Sequence, residues 1–112
     1  WRGHINVQLS ERALYEIYLP AFEAAVVKGG SWSIMGAYNQ IHGQHACHHD
    51  RMLNQILKKD WKFDGVVVTD WGGAHNTEEA ALNGLDIEMG SYTNGLTSES
   101  DFGYDDYYFH CQ

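Results

Sequence analysis

A continuous run of β-branched residues at positions 66–69, Val-Val-Val-Thr, constrains the fold of this chain more than any other feature. An uninterrupted run of this kind, without alternating polar residues, is typical of a strand buried on both faces in a parallel sheet. Neighbouring strands that run parallel are joined by long crossover connections, which are usually helices. The segments before and after this strand should therefore be helical. The run therefore predicts an α/β fold.

The segments around this run alternate between helical and strand patterns, which predicts βαβ units and a parallel sheet. About three βα units are expected, whereas a closed (β/α)8 barrel needs roughly 250 residues. The prediction is thus a partial TIM-like barrel. Helices are predicted over residues 10–28, 50–59 and 77–83, strands over residues 32–38, 66–69 and 85–89, and loops over residues 39–49 and 90–101.

The first helix carries an apolar stripe that should form its buried face. Ser10 is a suitable N-cap for this helix, and Asp50 for the second. Pro20 lacks a backbone N–H, so we expect a break near Leu19 with Pro20 opening a second short helix. The stripe consists of Leu14, Ile17, Tyr18, Phe22, Ala25 and Val26.

Composition excludes several classes of protein. Among 112 residues, 15 acidic and 7 basic side chains give a net charge of −8, which would repel phosphate backbones and argues against a nucleic-acid partner. No stretch approaches the ~20 apolar residues of a membrane span. Two cysteines are too few for a disulfide-stapled mini-protein, and the pairing of Cys47 and Cys111 stays open.

The two ends of the chain suggest a segment of something larger. Residue 1 is Trp, and the aromatic residues between Phe102 and Phe109 are expected to be core or interface. We therefore expect residues 1–112 to form part of a larger barrel domain. The sequence leaves the compartment open, and a periplasmic or secreted location is compatible with it.

Functional residues of parallel α/β folds gather where strands end and lead into helices. Asp70 follows the valine run directly, and Trp71 offers a flat face of the kind that stacks on sugar rings. Gly72 and Gly73 would let the backbone approach a ligand closely. The alternative is that Asp70 merely caps the next helix or pairs with a cation. The other strand end comprises residues 35–39.

Other clusters point to chemistry less specifically. The histidines and Cys47 of residues 42–49 are all zinc ligands by type, but adjacent ligands converge poorly on one centre and no second pair follows. A polar loop is therefore favoured, with no metal and no cofactor. Asp86 and Glu88, two apart on a predicted strand, should share a face, and hydrogen bonding to neighbouring loops is favoured over ligand contact.

Four motifs resemble those of glycoside hydrolase family 3, in its β-glucosidase and β-xylosidase branch. Residues 10–22 resemble the family's SERALREIYLPAF, and residues 35–39 its MGAYN. Residues 61–72 are similar to WGFDGFVVSDWG, and residues 84–89 to GLDLEM. Thr69 replaces the usual Ser, Asn76 a frequent Asp and Lys62 a frequent Gly.

The resemblance implies a retaining β-glycosidase with Asp70 as its nucleophile. It implies that Met35 and Tyr38 line the subsite for the cleaved sugar and that Trp71 lies beside the aglycone. The substrate would be a β-glucoside or β-xyloside. The acid/base Glu, and the Lys, His and Arg that grip the sugar, would come from elsewhere in the parent enzyme, including a second α/β domain.

Two alternatives stay open. The β-N-acetylhexosaminidase branch of the same family is disfavoured because its nucleophile motif lacks a Trp after the Asp. From a different class comes a catalytically incomplete sugar-binding or structural remnant, since these residues lack an acid/base.

Overall fold

The computed structural model describes residues 2–89. The predicted loop over residues 90–101, the aromatic segment and Cys111 lie outside this part. Five short strands are described: β1 (Asn6–Val7), β2 (Ser33–Gly36), β3 (Gln40–Ile41), β4 (Gln44–His45) and β5 (Val66–Thr69).

Three helical regions accompany the strands. Region α1 covers residues 11–28 and changes its hydrogen bonding along its length, while α2 (Arg51–Asp60) is π-helical and α3 (Thr77–Leu82) is α-helical. The segments of α1 are α-helical Glu11–Ala13, π-helical Leu14–Tyr18, α-helical Leu19–Glu23 and π-helical Ala24–Lys28. Single 3-10 turns lie at Arg2–His4 and Ala46–His48.

Strands β2 and β5 form the parallel pair that the valine run predicts. Ser33 lies opposite Val66 and Gly36 opposite Thr69, so both strands end at the same edge. Helix α2 connects them, which confirms a βαβ unit. The predicted strand over residues 85–89 is reduced to a single parallel bridge between Ile87 and Val68.

Residues 39–49, expected to be a loop, contain regular structure, and the prediction was wrong there. Strands β3 and β4 pair antiparallel, and β1 pairs parallel with β3, so a second sheet of mixed direction stands beside the first. Two-residue strands are too short for hydrophobic periodicity to reveal.

The core lies between α2 and the β2–β5 pair. Amphipathic α2 buries Leu53 and Leu57 against Val67, because apolar residues three and four apart share one helix face. Ile34 and Trp61 pack at its edge. The buried members are Val26, Leu53, Leu57, Phe63, Val67, Ala74, Ala80 and Leu85.

The first helix partly departs from expectation. Ser10 accepts the Ala13 N–H at 3.1 Å, which confirms the predicted cap. The backbone stays helical through Leu19, so Pro20 opens an α-helical segment without interrupting the helix. Of the apolar stripe, Leu14 and Val26 are buried, whereas Ile17 is 70% exposed. Most of the stripe has no covering neighbour among residues 2–89.

The cap predicted for α2 was wrong. Asp50 accepts from Asn54 and Gln55 side chains, both at 2.8 Å, and these bonds lower the pKa of its carboxyl. His49 fills the capping role, since its Nδ1 accepts the Met52 N–H at 3.4 Å. Asp50 has a helical backbone and makes no side-chain cap bond, whereas a capping residue typically has an extended backbone.

Candidate functional site

The predicted site residues lie at the shared carboxyl edge of β2 and β5. Met35 pairs in register with Val68, one residue before the end of each strand. Asp70 follows β5, and its N–H donates to the Gly36 carbonyl at 3.2 Å. Tyr38 lies two residues beyond Gly36 on the neighbouring strand end. The parallel register therefore brings the two sequence-predicted positions together.

The Asp70 carboxylate is held from one side. Its Oδ1 accepts the Trp71 N–H at 2.9 Å, and the residue is half-buried. Asn76, rather than Asp70, caps α3, since its side chain accepts the Glu79 N–H at 2.9 Å. Within residues 2–89, no Lys or Arg forms a salt bridge with Asp70. Neither alternative role for this carboxylate is found there.

The flanking apolar side chains are open. Met35 is 53% exposed and Trp71 is 46% exposed, while Tyr38 is half-buried. The Arg2 guanidinium carbon lies 4.8 Å from the centre of the Tyr38 ring, a cation–π distance. Sequence reasoning missed Arg2, because no motif marks a residue 36 positions away as a neighbour.

Cys47 lies beneath this edge. A Cβ on Gly36 would stand 2.7 Å from its Sγ, and one on Gly73 would stand 2.6 Å from it. Burial raises the pKa of the Cys47 thiol to about 12, and the thiol donates to the Ala37 carbonyl at 3.3 Å. A side chain at position 73 would therefore overlap Cys47, and the expectation that Gly72 and Gly73 let the backbone approach a ligand stays a prediction.

The histidines of residues 42–49 make hydrogen bonds that serve the fold. His45 Nδ1 pairs with the Tyr38 carbonyl, His48 Nδ1 with Glu79, and His49 Nε2 with the Ile41 carbonyl. Among residues 2–89 no group of three His, Cys, Asp or Glu side chains could hold a metal ion.

The remaining residues singled out by sequence have structural contacts. Asp86 accepts from Lys58 Nζ at 2.9 Å and from the Val67 N–H at 2.8 Å, so the expected hydrogen bonding is found, but with α2 and β5 and not with loops. Thr69 is buried, and its hydroxyl accepts the Met89 N–H at 2.8 Å. No helix among the described residues is long and apolar enough to cross a membrane.

Comparison with known proteins places the chain in a family. The family model described as "Glycosyl hydrolase family 3 N terminal domain" matches residues 2–91. Beta-glucosidase BoGH3A of Bacteroides ovatus is 74% identical over 108 residues, which is 96% of this chain and 14% of that protein. An exo-α-(1→6)-L-arabinopyranosidase of Bifidobacterium longum is 43% identical over 93 residues, 82% of this chain and 12% of that protein.

A solved structure agrees. Beta-glucosidase 3B of Thermotoga neapolitana, in complex with α-D-glucose, superposes with a TM-score of 0.76 at 39% identity, covering 79% of this chain and 12% of that one. The chain therefore belongs to glycoside hydrolase family 3, and the resemblance seen in its motifs is confirmed. It spans about one seventh of the length of the Bacteroides relative.

Proposed function

We propose that residues 1–112 are an internal segment of the N-terminal barrel domain of a retaining β-glycosidase and carry its nucleophile, Asp70. The observation that supports this most is the position of Asp70, half-buried at a strand end beside Gly36 of the neighbouring strand. Parallel α/β enzymes build their sites from such strand ends. The family's beta-glucosidases support the reaction class.

The proposed reaction proceeds in two displacements. The Asp70 carboxylate attacks the anomeric carbon, the glycosidic C–O bond breaks, and a glycosyl ester forms. Because Oδ1 is held by the Trp71 N–H, we assign the attack to Oδ2. A carboxylic acid outside these residues, about 5–5.5 Å from Asp70, protonates the leaving oxygen and then activates the water that cleaves the ester.

The surrounding residues are assigned to binding. The exposed Trp71 indole offers an apolar face beside the aglycone, and Met35 and Tyr38 line the subsite of the cleaved sugar. The Tyr38 hydroxyl is a donor for the carboxylate or the ring oxygen, and the Arg2 guanidinium fixes the Tyr38 ring from one side. No metal or cofactor is assigned to this reaction.

The whole enzyme would complete the site. Apart from Met35, the exposed apolar residues of the β2–β5 sheet and of α1 are assigned to contacts with the rest of the barrel, and a second α/β domain is assigned the acid/base. Beta-glucosides are the first substrate to test, because the Bacteroides relative is a beta-glucosidase. Because the Bifidobacterium longum relative is an arabinopyranosidase, an aryl α-L-arabinopyranoside should be tested beside the aryl β-glucoside.

The test is Asp70→Gly in the full-length protein. Aryl β-glucoside turnover should fall by about 10³-fold or more, as expected for loss of a covalent nucleophile. Added azide should restore release of the aryl group by filling the space and forming the glycosyl azide. Asp64→Gly, at an exposed turn residue, is the matched control and should retain turnover.

Three outcomes would contradict the proposal. Wild-type turnover in Asp70→Gly would show that another group attacks. Hydrolysis of aryl N-acetylglucosaminides in preference to glucosides and xylosides would favour the hexosaminidase branch, and a full-length protein without activity on any of them would favour the sugar-binding remnant.

A further inference from the structure

The loop that carries Asp70 is fixed at both ends. We call residues 70–75 the Asp70 loop. At its start the Asp70 N–H donates to Gly36, and within it the Gly73 N–H donates to the Asp70 carbonyl at 2.9 Å. At its far end the His75 N–H donates to His48 Nε2 at 3.2 Å. A side chain 27 positions away thus anchors the end of the loop.

The hydrogen bonds of His48 define its tautomer. Nε2 accepts the His75 N–H, so the ring proton resides on Nδ1, where it donates to Glu79 Oε2 at 2.8 Å. The imidazole is 3% exposed, which keeps water from competing for either bond. His48 is therefore a bridge between the Asp70 loop and helix α3.

Glu79 is itself held in place. Its Oε2 also accepts from Gln44 Nε2 at 3.0 Å, and this bond, followed by the bond from His48, lowers the pKa of its carboxyl. The His48 carbonyl in turn accepts from Asn83 Nδ2 at 3.0 Å. The carboxylate that holds the imidazole is thus fixed by Gln44 of β4, and the His48 backbone is fixed by Asn83, which follows α3.

The same short segment reaches the other strand end. Cys47 packs against Gly36 and Gly73, and His45 stacks its ring on His75 with 3.9 Å between centroids. His45 Nδ1 also pairs with the Tyr38 carbonyl at 3.1 Å. Residues 45–48 consequently contact the Asp70 loop and the Tyr38 segment together.

We propose that His48 is a positioning residue for Asp70: its Nε2 fixes the far end of the Asp70 loop and thereby the carboxylate that attacks. This inference rests on the proposed role of Asp70 as nucleophile. Attack on an anomeric carbon depends steeply on distance, and a displacement of about 1 Å can reduce a rate about 10²-fold.

Two substitutions separate the two bonds of His48. In His48→Asn the amide nitrogen can replace Nδ1 toward Glu79, but nothing reaches the His75 N–H. In His48→Gln the longer side chain brings an amide oxygen to the Nε2 position, so the bond to His75 can form. His49→Asn is the matched control, because His49 is 7% exposed and makes its bonds to Ile41 and Met52 instead.

The experiment measures inactivation of the full-length protein by a 2-deoxy-2-fluoro-β-glucoside, which reports attack by the nucleophile. His48→Asn should lower the limiting inactivation rate by about 10- to 100-fold with little change in the inhibitor concentration at half-maximal rate. His48→Gln should recover to within about threefold of wild type, and His49→Asn should stay within that range. Equal rates for His48→Asn and His49→Asn would overturn the proposal.

Hydrogen exchange provides a readout that does not depend on activity. In the full-length protein, exchange of the peptide containing His75 should accelerate in His48→Asn and not in His48→Gln. Unchanged protection in His48→Asn would also overturn the proposal. If the wild-type protein were labelled at a residue other than Asp70, the proposed function would fail, whereas labelling at Asp70 with an unaffected His48→Asn would reject the positioning role alone.

Discussion

The two faces of the β2–β5 sheet differ sharply in what covers them. The closed face, formed by Ile34, Gly36, Val67 and Thr69, lies against α2 and Cys47, and Val67 and Thr69 are fully buried. The open face carries Ser33 and the apolar residues Met35, Val66, Val68 and Ile87, and most of it is exposed. Its members Met35, Val66 and Ile87 are 53%, 40% and 43% exposed.

This difference separates the parts of the molecule that stabilise it from those assigned to chemistry. The closed face finds its partners within residues 2–89, so its stability should depend on this chain's own side chains. Among residues 2–89 the open face is only partly covered, and exposed apolar surface of this kind marks a contact surface. We assign the open face to the barrel interior, below the sugar site.

The largest effect is expected from Leu57→Ala in the full-length protein. Leu57 is 3% exposed on α2 against the closed face, and removing such a side chain typically costs about 3 kcal/mol of unfolding free energy. Hydrogen exchange of the peptides over residues 51–69 in increasing urea would measure it. Leu82→Ala, on an exposed side chain of α3, should cost less than about 0.5 kcal/mol, and equal losses would contradict a closed core.

Gly73→Ala tests the contact between the Asp70 loop and Cys47. Its Cβ would overlap the Cys47 sulfur, and overpacking of this kind costs about 1–3 kcal/mol. Cys47→Ala removes the sulfur, so the double variant should lose less stability than the two single variants added together. The same urea titration would measure this coupling, and strictly additive losses would show that the two residues do not touch.

Met35→Ala tests the open face. Because Met35 is assigned to the sugar subsite, kcat/KM for an aryl β-glucoside should fall about tenfold, equivalent to about 1.4 kcal/mol of transition-state stabilisation. Steady-state kinetics beside the urea titration would separate binding from folding. If Met35→Ala lost as much stability as Leu57→Ala and kept its kinetics, Met35 would be a core residue and not a residue of the sugar subsite.

The smallest effect concerns pH. Burial lowers the pKa of both His45 and His49, so protonation is favoured in the unfolded chain. Their contribution to stability is full above the ordinary histidine pKa of about 6.5 and is lost as the pH falls below it. Unfolding measured between pH 7.5 and 5 should therefore show a slope that His45→Asn reduces.

The control for this titration is His42→Asn, at an exposed histidine that pairs with Gln8. It should reduce the slope less than His45→Asn does, because His42 adds only a charge to the causes that lower the pKa of His49. Asparagine tolerates the left-handed backbone found at this position. If His45→Asn and His42→Asn reduced the pH slope equally, the slope would arise from the histidine charges and not from the burial of His45.

Elements with strong local signals were predictable from sequence. The β5 prediction over residues 66–69 is confirmed residue for residue, because a β-branched run leaves no helical alternative. Helix α2 was predicted to within one residue by its apolar spacing. By contrast, β3 and β4 together hold one apolar residue, Ile41, and β3 pairs with β1, 34 positions earlier in the chain, a pairing that no local pattern indicates.

The candidate site shows the same division. Asp70 was singled out by its place after β5, and its roles and those of Met35, Tyr38 and Trp71 stay predictions. His48 was considered as a zinc ligand because sequence shows residue type but not burial or tautomer. Its contacts with His75 and Glu79 depend on tertiary packing of α3 against the 3-10 turn.

The most direct test of the central claim is the identity of the residue that the fluoro-glucoside labels. After inactivation of the full-length protein, peptide mass spectrometry should find the fluoroglucosyl group on Asp70. An active enzyme labelled at any other residue would contradict the account.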